Sequence, residues 1–73
     1  MSKPRILIID DERNTREGLE KAFRRQYTIA LAESAERGLE IMAEAACDVI
    51  LVDLRMPGMD GIAFIRRVTA QDN

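Results

Sequence analysis

The chain has 73 residues, with 11 basic and 13 acidic side chains and a formal net charge of −2 at pH 7. This length allows one small domain at most, and the mixed charges do not resemble the single basic face of a nucleic-acid-binding domain. Histidine is absent, which excludes the commonest general base and metal ligand. Any chemistry at a site must therefore be done by carboxylates.

The single cysteine, Cys47, suits a reducing, intracellular setting, where it is most simply a small buried apolar side chain. Near the start, the apolar run Ile6 to Ile9 is too short for a signal-peptide core or a membrane span. We therefore expect a soluble, cytoplasmic protein that contacts neither a membrane nor nucleic acid.

The first predicted elements are a strand and a helix. Residues 6–9 form a continuous β-favouring run, as in a strand that is buried on both faces. From Asn14 to about Arg25 the apolar spacing predicts a helix with Leu19, Ala22 and Phe23 on its inner face. The predicted outer face carries charged side chains, namely Arg16, Glu17, Glu20, Lys21 and Arg24.

A second strand–helix pair follows. Residues 27–32, "YTIALA", predict a weaker strand. Ser34 is predicted to be the N-cap of a helix over residues 35–46, with Leu39 and Met42 facing inward.

The third pair begins with the strongly apolar strand Val49–Val52 and continues with a helix from about Gly61 to Ala70. The apolar side of this helix is predicted to carry Ile62, Ile65 and Val68, with Phe64 beside them. The order βαβαβα indicates an α/β fold with parallel strands joined by right-handed helical crossovers. Such a sheet needs helices on both faces.

Carboxylates follow two of the predicted strands: Asp10 and Asp11 end the first, and Asp53 ends the third. Ligands of an open parallel sheet bind at the carboxyl ends of its strands. If these two strands are neighbours, the three groups converge and repel one another unless a cation neutralises them. Oxygen ligands alone suit a hard divalent ion, and Mg²⁺ is the natural choice. We expect a Mg²⁺ site of the kind used in phosphoryl transfer rather than a structural cage.

The loop after the third strand supports this interpretation. The Pro-Gly pair at residues 57–58 predicts a tight turn, and Gly61 can adopt backbone angles that other residues resist. Such a turn can present the backbone carbonyl of Arg55 to the same ion. Asp60 is predicted to cap the following helix.

Taken singly, each acidic group is more simply a helix cap or a solvated side chain, whereas together they favour a site. The segments "ILIIDDE" and "VDLRMPGMDG", with "LAESAERGLEIM" between them, resemble the receiver domain of two-component response regulators. The resemblance covers the whole chain. It implies a flavodoxin-like doubly wound fold, of which residues 1–73 are the N-terminal half.

The resemblance also implies roles for the acidic residues. Asp53 would be the phosphoacceptor, taking a phosphoryl group from the phosphohistidine of a sensor histidine kinase or a phosphotransfer protein. Asp11 would bind Mg²⁺ directly, Asp10 would assist through water, and Arg55 would contribute its backbone carbonyl. The protein's part in such catalysis is mostly positioning and charge neutralisation.

A receiver of this family has five strands and five helices in roughly 120 residues. The Ser or Thr that ends its fourth strand and the Lys that ends its fifth have no counterpart in this chain, whose only lysines are Lys3 and Lys21. We therefore expect phosphotransfer to be impaired in the isolated, truncated domain. Enzymatic turnover is not expected either, because haloacid-dehalogenase-type phosphatases need a second acid where this chain has Arg55.

In the family's strand order, 2-1-3-4-5, the third strand of this chain would be left as an edge. Val49–Val52 is its most apolar strand, and an unpaired edge of that kind recruits another chain. We expect the protein to form oligomers through this edge or to stay partly disordered. This leaves an alternative function open, that of an assembly module in which the acidic groups are chemically idle.

Overall fold

The computed structural model describes residues 3–56, 58 and 61–71. Strands and helices alternate along the chain in the predicted βαβαβα order. The elements are β1 (Arg5–Ile9), α1 (Arg13–Phe23), β2 (Thr28–Ala32), α2 (Ala35–Glu44), β3 (Val49–Val52) and α3 (Gly61–Gln71). Several ends differ from the predicted ones by one or two residues.

The three strands form one parallel sheet in the order β2-β1-β3. In this register Ile9 lies opposite Ala32 of β2 and Val52 of β3. The pairing continues one residue further, because the amide of Asp10 donates to the carbonyl of Ala32 at 3.1 Å and that of Asp53 to the carbonyl of Ile9 at 2.9 Å. Residues that follow β1 and β3 therefore leave the sheet at the same level.

The central strand β1 is the most deeply buried part of the molecule. Its side chains from Ile6 to Ile9 are at most 2% exposed. Leu7 and Ile9 belong to the core cluster beneath α2 and α3, together with Ala32, Ala35, Ile41, Met56 and Phe64. Fully burying one such aliphatic side chain contributes roughly 1.5–3 kcal/mol, so β1 anchors both neighbouring strands.

Helix α2 packs in part as the sequence predicts. The hydroxyl of Ser34 accepts a hydrogen bond from the amide of Arg37 at 3.1 Å, which confirms the predicted N-cap. Leu39 and Met42 are partly buried against the core cluster. The fully buried positions of this helix are Ala35, Gly38 and Ile41.

The predicted inner face of α3 is wrong in part. Phe64 is only 1% exposed, whereas Ile62 and Ile65 are 52% and 46% exposed. The buried stripe runs through Gly61, Phe64 and Val68, a spacing that stays on one side of a helix. Ile62 and Ile65 lie beside this stripe because the largest side chain, Phe64, takes the place over the core.

The face of α1 also differs from the prediction. Ala22 is exposed, and none of the residues of α1 is fully buried. Arg16, expected on the outer face, is partly buried because it shares a stripe with Leu19 and Phe23. In the part of the chain that the structure describes, no helix combines the length and hydrophobicity needed to cross a membrane.

Candidate metal centre

The carboxylates that follow β1 and β3 lie together. One carboxylate oxygen from each of Asp10, Asp11 and Asp53 lies within 4.8 Å of the other two. Asp10 and Asp53 are half-buried, and Asp11 is exposed. This cluster follows from the sheet order, because β1 and β3 are neighbours and end at the same level.

The loop after β1 is tied to α1 by hydrogen bonds that hold Asp10. Oδ1 of Asp10 accepts a hydrogen bond from the amide of Glu12 at 2.9 Å. Its backbone carbonyl accepts one from Nη1 of Arg16 at 2.8 Å. The side chain of Glu12 is used elsewhere, since Oε1 accepts from the amide of Asn14 and caps α1. The contact of Arg16 with Asp10 was not predicted from the sequence. Its only indication was that Arg16 lies on the same side of the predicted helix as Leu19.

The loop after β3 holds Asp53 in a local turn. Its Oδ1 accepts a hydrogen bond from the amide of Arg55, two residues later, at 3.0 Å. An ionised carboxylate has about four acceptor sites on its two oxygens. The side chain of Asp53 is therefore oriented by its own loop and still has acceptor capacity for a ligand.

Arg55 lies in the same region as the two half-buried carboxylates. With Asp10 and Asp53 it lines an open cleft of about 410 Å³. The rest of the lining is apolar: Ile8, Ile9, Leu19, Leu51 and Val52. The amide of Arg55 takes part in the turn at Asp53, and the use of its carbonyl as a metal ligand stays a prediction.

The glycines of this loop have different roles from those predicted. Gly58 has a φ of +78°, in the left-handed region that favours glycine, which fits the predicted turn. Gly61 has no positive φ, so the prediction of unusual backbone angles is wrong there. Its special feature is a close approach to the backbone of Asp53. The predicted roles of Pro57 and Asp60 lie outside the described residues.

The donor set of this cluster fits Mg²⁺. The three groups that meet are carboxylates on two separate segments of the chain, and Mg²⁺ is bound by oxygen ligands, typically one or two carboxylates with waters and a phosphate. A divalent cation would also offset the mutual repulsion of the three negative charges. Asp10, Asp11 and Asp53 are the residues that would hold it.

Comparison with known proteins identifies the family. The family model of the response regulator receiver domain matches residues 6–73. The chain belongs to this family. It is 37% identical over 70 residues to the transcriptional regulatory protein AfsQ1 of Streptomyces coelicolor, covering 94% of this chain and 31% of that protein. It is 33% identical over 73 residues to sporulation initiation phosphotransferase F of Bacillus subtilis, covering 99% of this chain and 59% of that one.

Solved receiver structures share the fold. The chemotaxis protein CheY4 of Vibrio cholerae superposes with a TM-score of 0.93 at 26% identity, covering 97% of this receiver chain and 60% of that chain. The receiver domain of nitrogen regulatory protein C gives a TM-score of 0.84 at 32% identity, covering 97% and 58%. The predicted flavodoxin-like receiver fold is thus confirmed, and the chain spans less than two thirds of each of these four proteins.

Proposed function

We propose that this receiver chain is a phosphoacceptor module in which Asp53 takes a phosphoryl group from a sensor histidine kinase or a phosphotransfer protein. The observation that carries the proposal is the meeting of Asp53 with Asp10 and Asp11 within 4.8 Å at the carboxyl ends of β1 and β3. Membership of the receiver family supports it. Such a module works in the cytoplasm, where a lone cysteine such as Cys47 stays reduced.

The transfer itself is a substitution at phosphorus. A carboxylate oxygen of Asp53 attacks the phosphorus atom and forms a P–O bond, which makes an acyl phosphate. The P–N bond to the donor's histidine breaks, and its electron pair stays on the imidazole nitrogen, which takes up a proton. Bound Mg²⁺ would supply charge neutralisation for the anionic group that approaches these carboxylates. Asp10 and Asp11 would hold that ion.

Among the residues that the structure describes, no lysine lies at this site. Lys3 donates from Nζ to the carbonyl of Arg24 at 3.3 Å, at the amino end of the strands. Lys21 is exposed in the last turn of α1. For this part of the protein, we propose slow phosphorylation and weak self-catalysed transfer rather than turnover as an enzyme.

Mass spectrometry after incubation with acetyl phosphate and Mg²⁺ tests the acceptor role. The wild-type chain should gain the mass of one phosphoryl group, and Asp53→Asn should not. Glu44→Gln is the matched control, because Glu44 is an exposed carboxylate at the end of α2, so it should be labelled like the wild type. Equal labelling of Asp53→Asn would show that the acceptor is another residue.

A second function, self-assembly, is favoured by the edge of the sheet. Among the described strands, β3 pairs with β1 alone, and Val49 is 38% exposed. Open clefts flank it on both faces: the one of about 410 Å³ beside α1, and one of about 220 Å³ beside α3. The second cleft is lined by Ile50, Val52, Phe64, Ile65, Val68 and Thr69. We propose that a second copy of this chain pairs with β3, because an open apolar edge is a template for another strand.

Light scattering over a range of concentrations tests the assembly. The mean mass of the wild-type chain should rise with concentration, and Val49→Lys should remain monomeric because a charge blunts the edge. Ala43→Lys, on the exposed surface of α2, is the matched control and should assemble. A monomer at every concentration would overturn this function. Asp53→Asn should assemble like the wild type if assembly does not depend on phosphorylation.

A further inference from the structure

We infer that Gly61 is a positioning residue for Asp53, because α3 begins against the backbone that carries this carboxylate. The inference rests on the proposed function of Asp53. A Cβ atom placed at Gly61 would lie 2.7 Å from the carbonyl oxygen of Asp53 and 2.7 Å from Cα of Leu54. Cβ contacts under 3.0 Å are essentially never found, so any side chain at this position must move something.

The crowded atoms cannot simply rotate away. Two of the three nearest atoms are backbone, and the third is Cδ2 of Leu54 at 2.9 Å. The backbone amide of Asp53 is in turn fixed to β1, because it donates a hydrogen bond to the carbonyl of Ile9 at 2.9 Å. Displacement of the 53–54 peptide would therefore disturb both the end of β3 and the turn in which Asp53 accepts from Arg55.

Helix α3 cannot easily withdraw either. Phe64, one turn after Gly61, is 1% exposed in the core, so that moving the start of the helix would uncover it. Gly61 has no positive φ, and its backbone would therefore accept alanine. Alanine also has a higher helix propensity than glycine. Space beside Asp53, rather than backbone freedom, is what glycine provides here.

The other two helical glycines make matched controls. At Gly18, in α1, a Cβ would meet nothing within 4 Å. At Gly38, in α2, a Cβ would lie 2.5 Å from Cδ1 of Ile9 and 3.2 Å from its Cγ1, which are side-chain atoms. Gly38→Ala therefore introduces a contact as close as the one in Gly61→Ala, but it presses on a core side chain and not on the backbone of the acidic site.

The experiment is a Mg²⁺ titration followed by amide NMR in the wild type and in Gly61→Ala, Gly38→Ala and Gly18→Ala. We expect Gly61→Ala to weaken Mg²⁺ binding about tenfold or more, and both controls to stay within about twofold of the wild type. The Arg55 amide should also shift in Gly61→Ala before Mg²⁺ is added, because its bond to Asp53 is disturbed. Wild-type affinity with an unmoved Arg55 amide would overturn the inference.

Instability of Gly61→Ala, or a wild type that does not bind Mg²⁺, would call for a second measurement. If Gly61→Ala is unstable, it is measured in the Gly18→Ala background, which strengthens α1; failure to fold even there would assign Gly61 to the fold and overturn its positioning role. If the wild type does not bind Mg²⁺, the proposed metal role fails by itself. The amide chemical shifts of Gly61→Ala then decide between the outcomes. A change confined to residues 53–55 supports the inference, and the absence of any change there overturns it.

Discussion

The carboxylate of Asp48 accepts a hydrogen bond from the backbone amide of Arg5 at 2.7 Å, across 43 positions of the chain. The amide of Asp48 donates in return to the carbonyl of Arg5 at 2.8 Å. This pair joins the start of β3 to the start of β1. Because the register of these strands determines which residues leave the sheet together, it helps to bring Asp10 and Asp53 together at the opposite end.

Removing the Asp48 carboxylate should loosen this register. We expect Asp48→Ala to lower the free energy of unfolding by about 1 kcal/mol, since the lost hydrogen bond involves a charged but exposed acceptor. Asp48→Asn keeps a carbonyl oxygen as an acceptor and should lose less. Urea denaturation of the two variants measures the difference, and an Asp48→Ala chain as stable as the wild type would show that the bond is dispensable.

The N-cap of α2 should be worth a measurable part of the stability. The hydroxyl of Ser34 satisfies the otherwise unpaired amide of Arg37. Ser34→Ala should therefore cost about 1 kcal/mol, and Ser34→Thr, which keeps the hydroxyl, should cost less. Thermal unfolding followed by circular dichroism compares the two variants. Equal melting temperatures for Ser34→Ala and Ser34→Thr would show that the capping hydroxyl does not stabilise the fold.

Because Phe64 faces the core and Ile65 does not, alanine substitutions at these adjacent positions should have very different effects on stability. Phe64→Ala removes a fully buried ring and should cost about 3–5 kcal/mol, enough to unfold much of a small domain. Ile65→Ala changes a side chain that is 46% exposed and should alter stability in dilute solution by at most about 0.5 kcal/mol. Equal destabilisation in denaturant titrations would mean that Ile65 is packed in the core as well as Phe64.

The acidic cluster predicts that neighbouring carboxylates contribute unequally to metal binding. Asp11 lies in the cluster, whereas Glu12 caps α1. We expect Asp11→Asn to weaken Mg²⁺ binding about tenfold or more, as measured by calorimetry. Glu12→Gln, which keeps a capping oxygen, should bind like the wild type. The reverse order of affinities would exclude Asp11 as a ligand.

One ion pair on α1 predicts a pH effect of known sign. The hydrogen bond from Nε of Arg13 to Oε2 of Glu17, at 2.7 Å, and then the charge of Arg13 hold the pKa of Glu17 below its usual value. The pair therefore stabilises the fold above the ordinary glutamate pKa, and this contribution disappears as the pH falls through the lowered pKa. In an NMR titration, Arg13→Ala should raise the pKa of Glu17, and Arg37→Ala, on α2, should leave it unchanged.

Local sequence patterns determined the elements of this receiver domain and their order. Short apolar runs mark β1 and β3, helical spacing marks the segments between them, and Ser34 marks the start of α2. The meeting of Asp10, Asp11 and Asp53 was also open to prediction, because parallel strands place their carboxyl ends at one edge of the sheet.

Tertiary packing alone decided the rest. The sequence pattern could not tell whether Phe64 or Ile65 faces inward, because both lie on the apolar side of α3 and the core selects the larger ring. It gave no sign that Gly61 approaches the backbone of Asp53, or that Asp48 bonds to Arg5. Those contacts join residues far apart in the chain or on separate elements, whereas periodicity and capping report only on neighbours within a few residues.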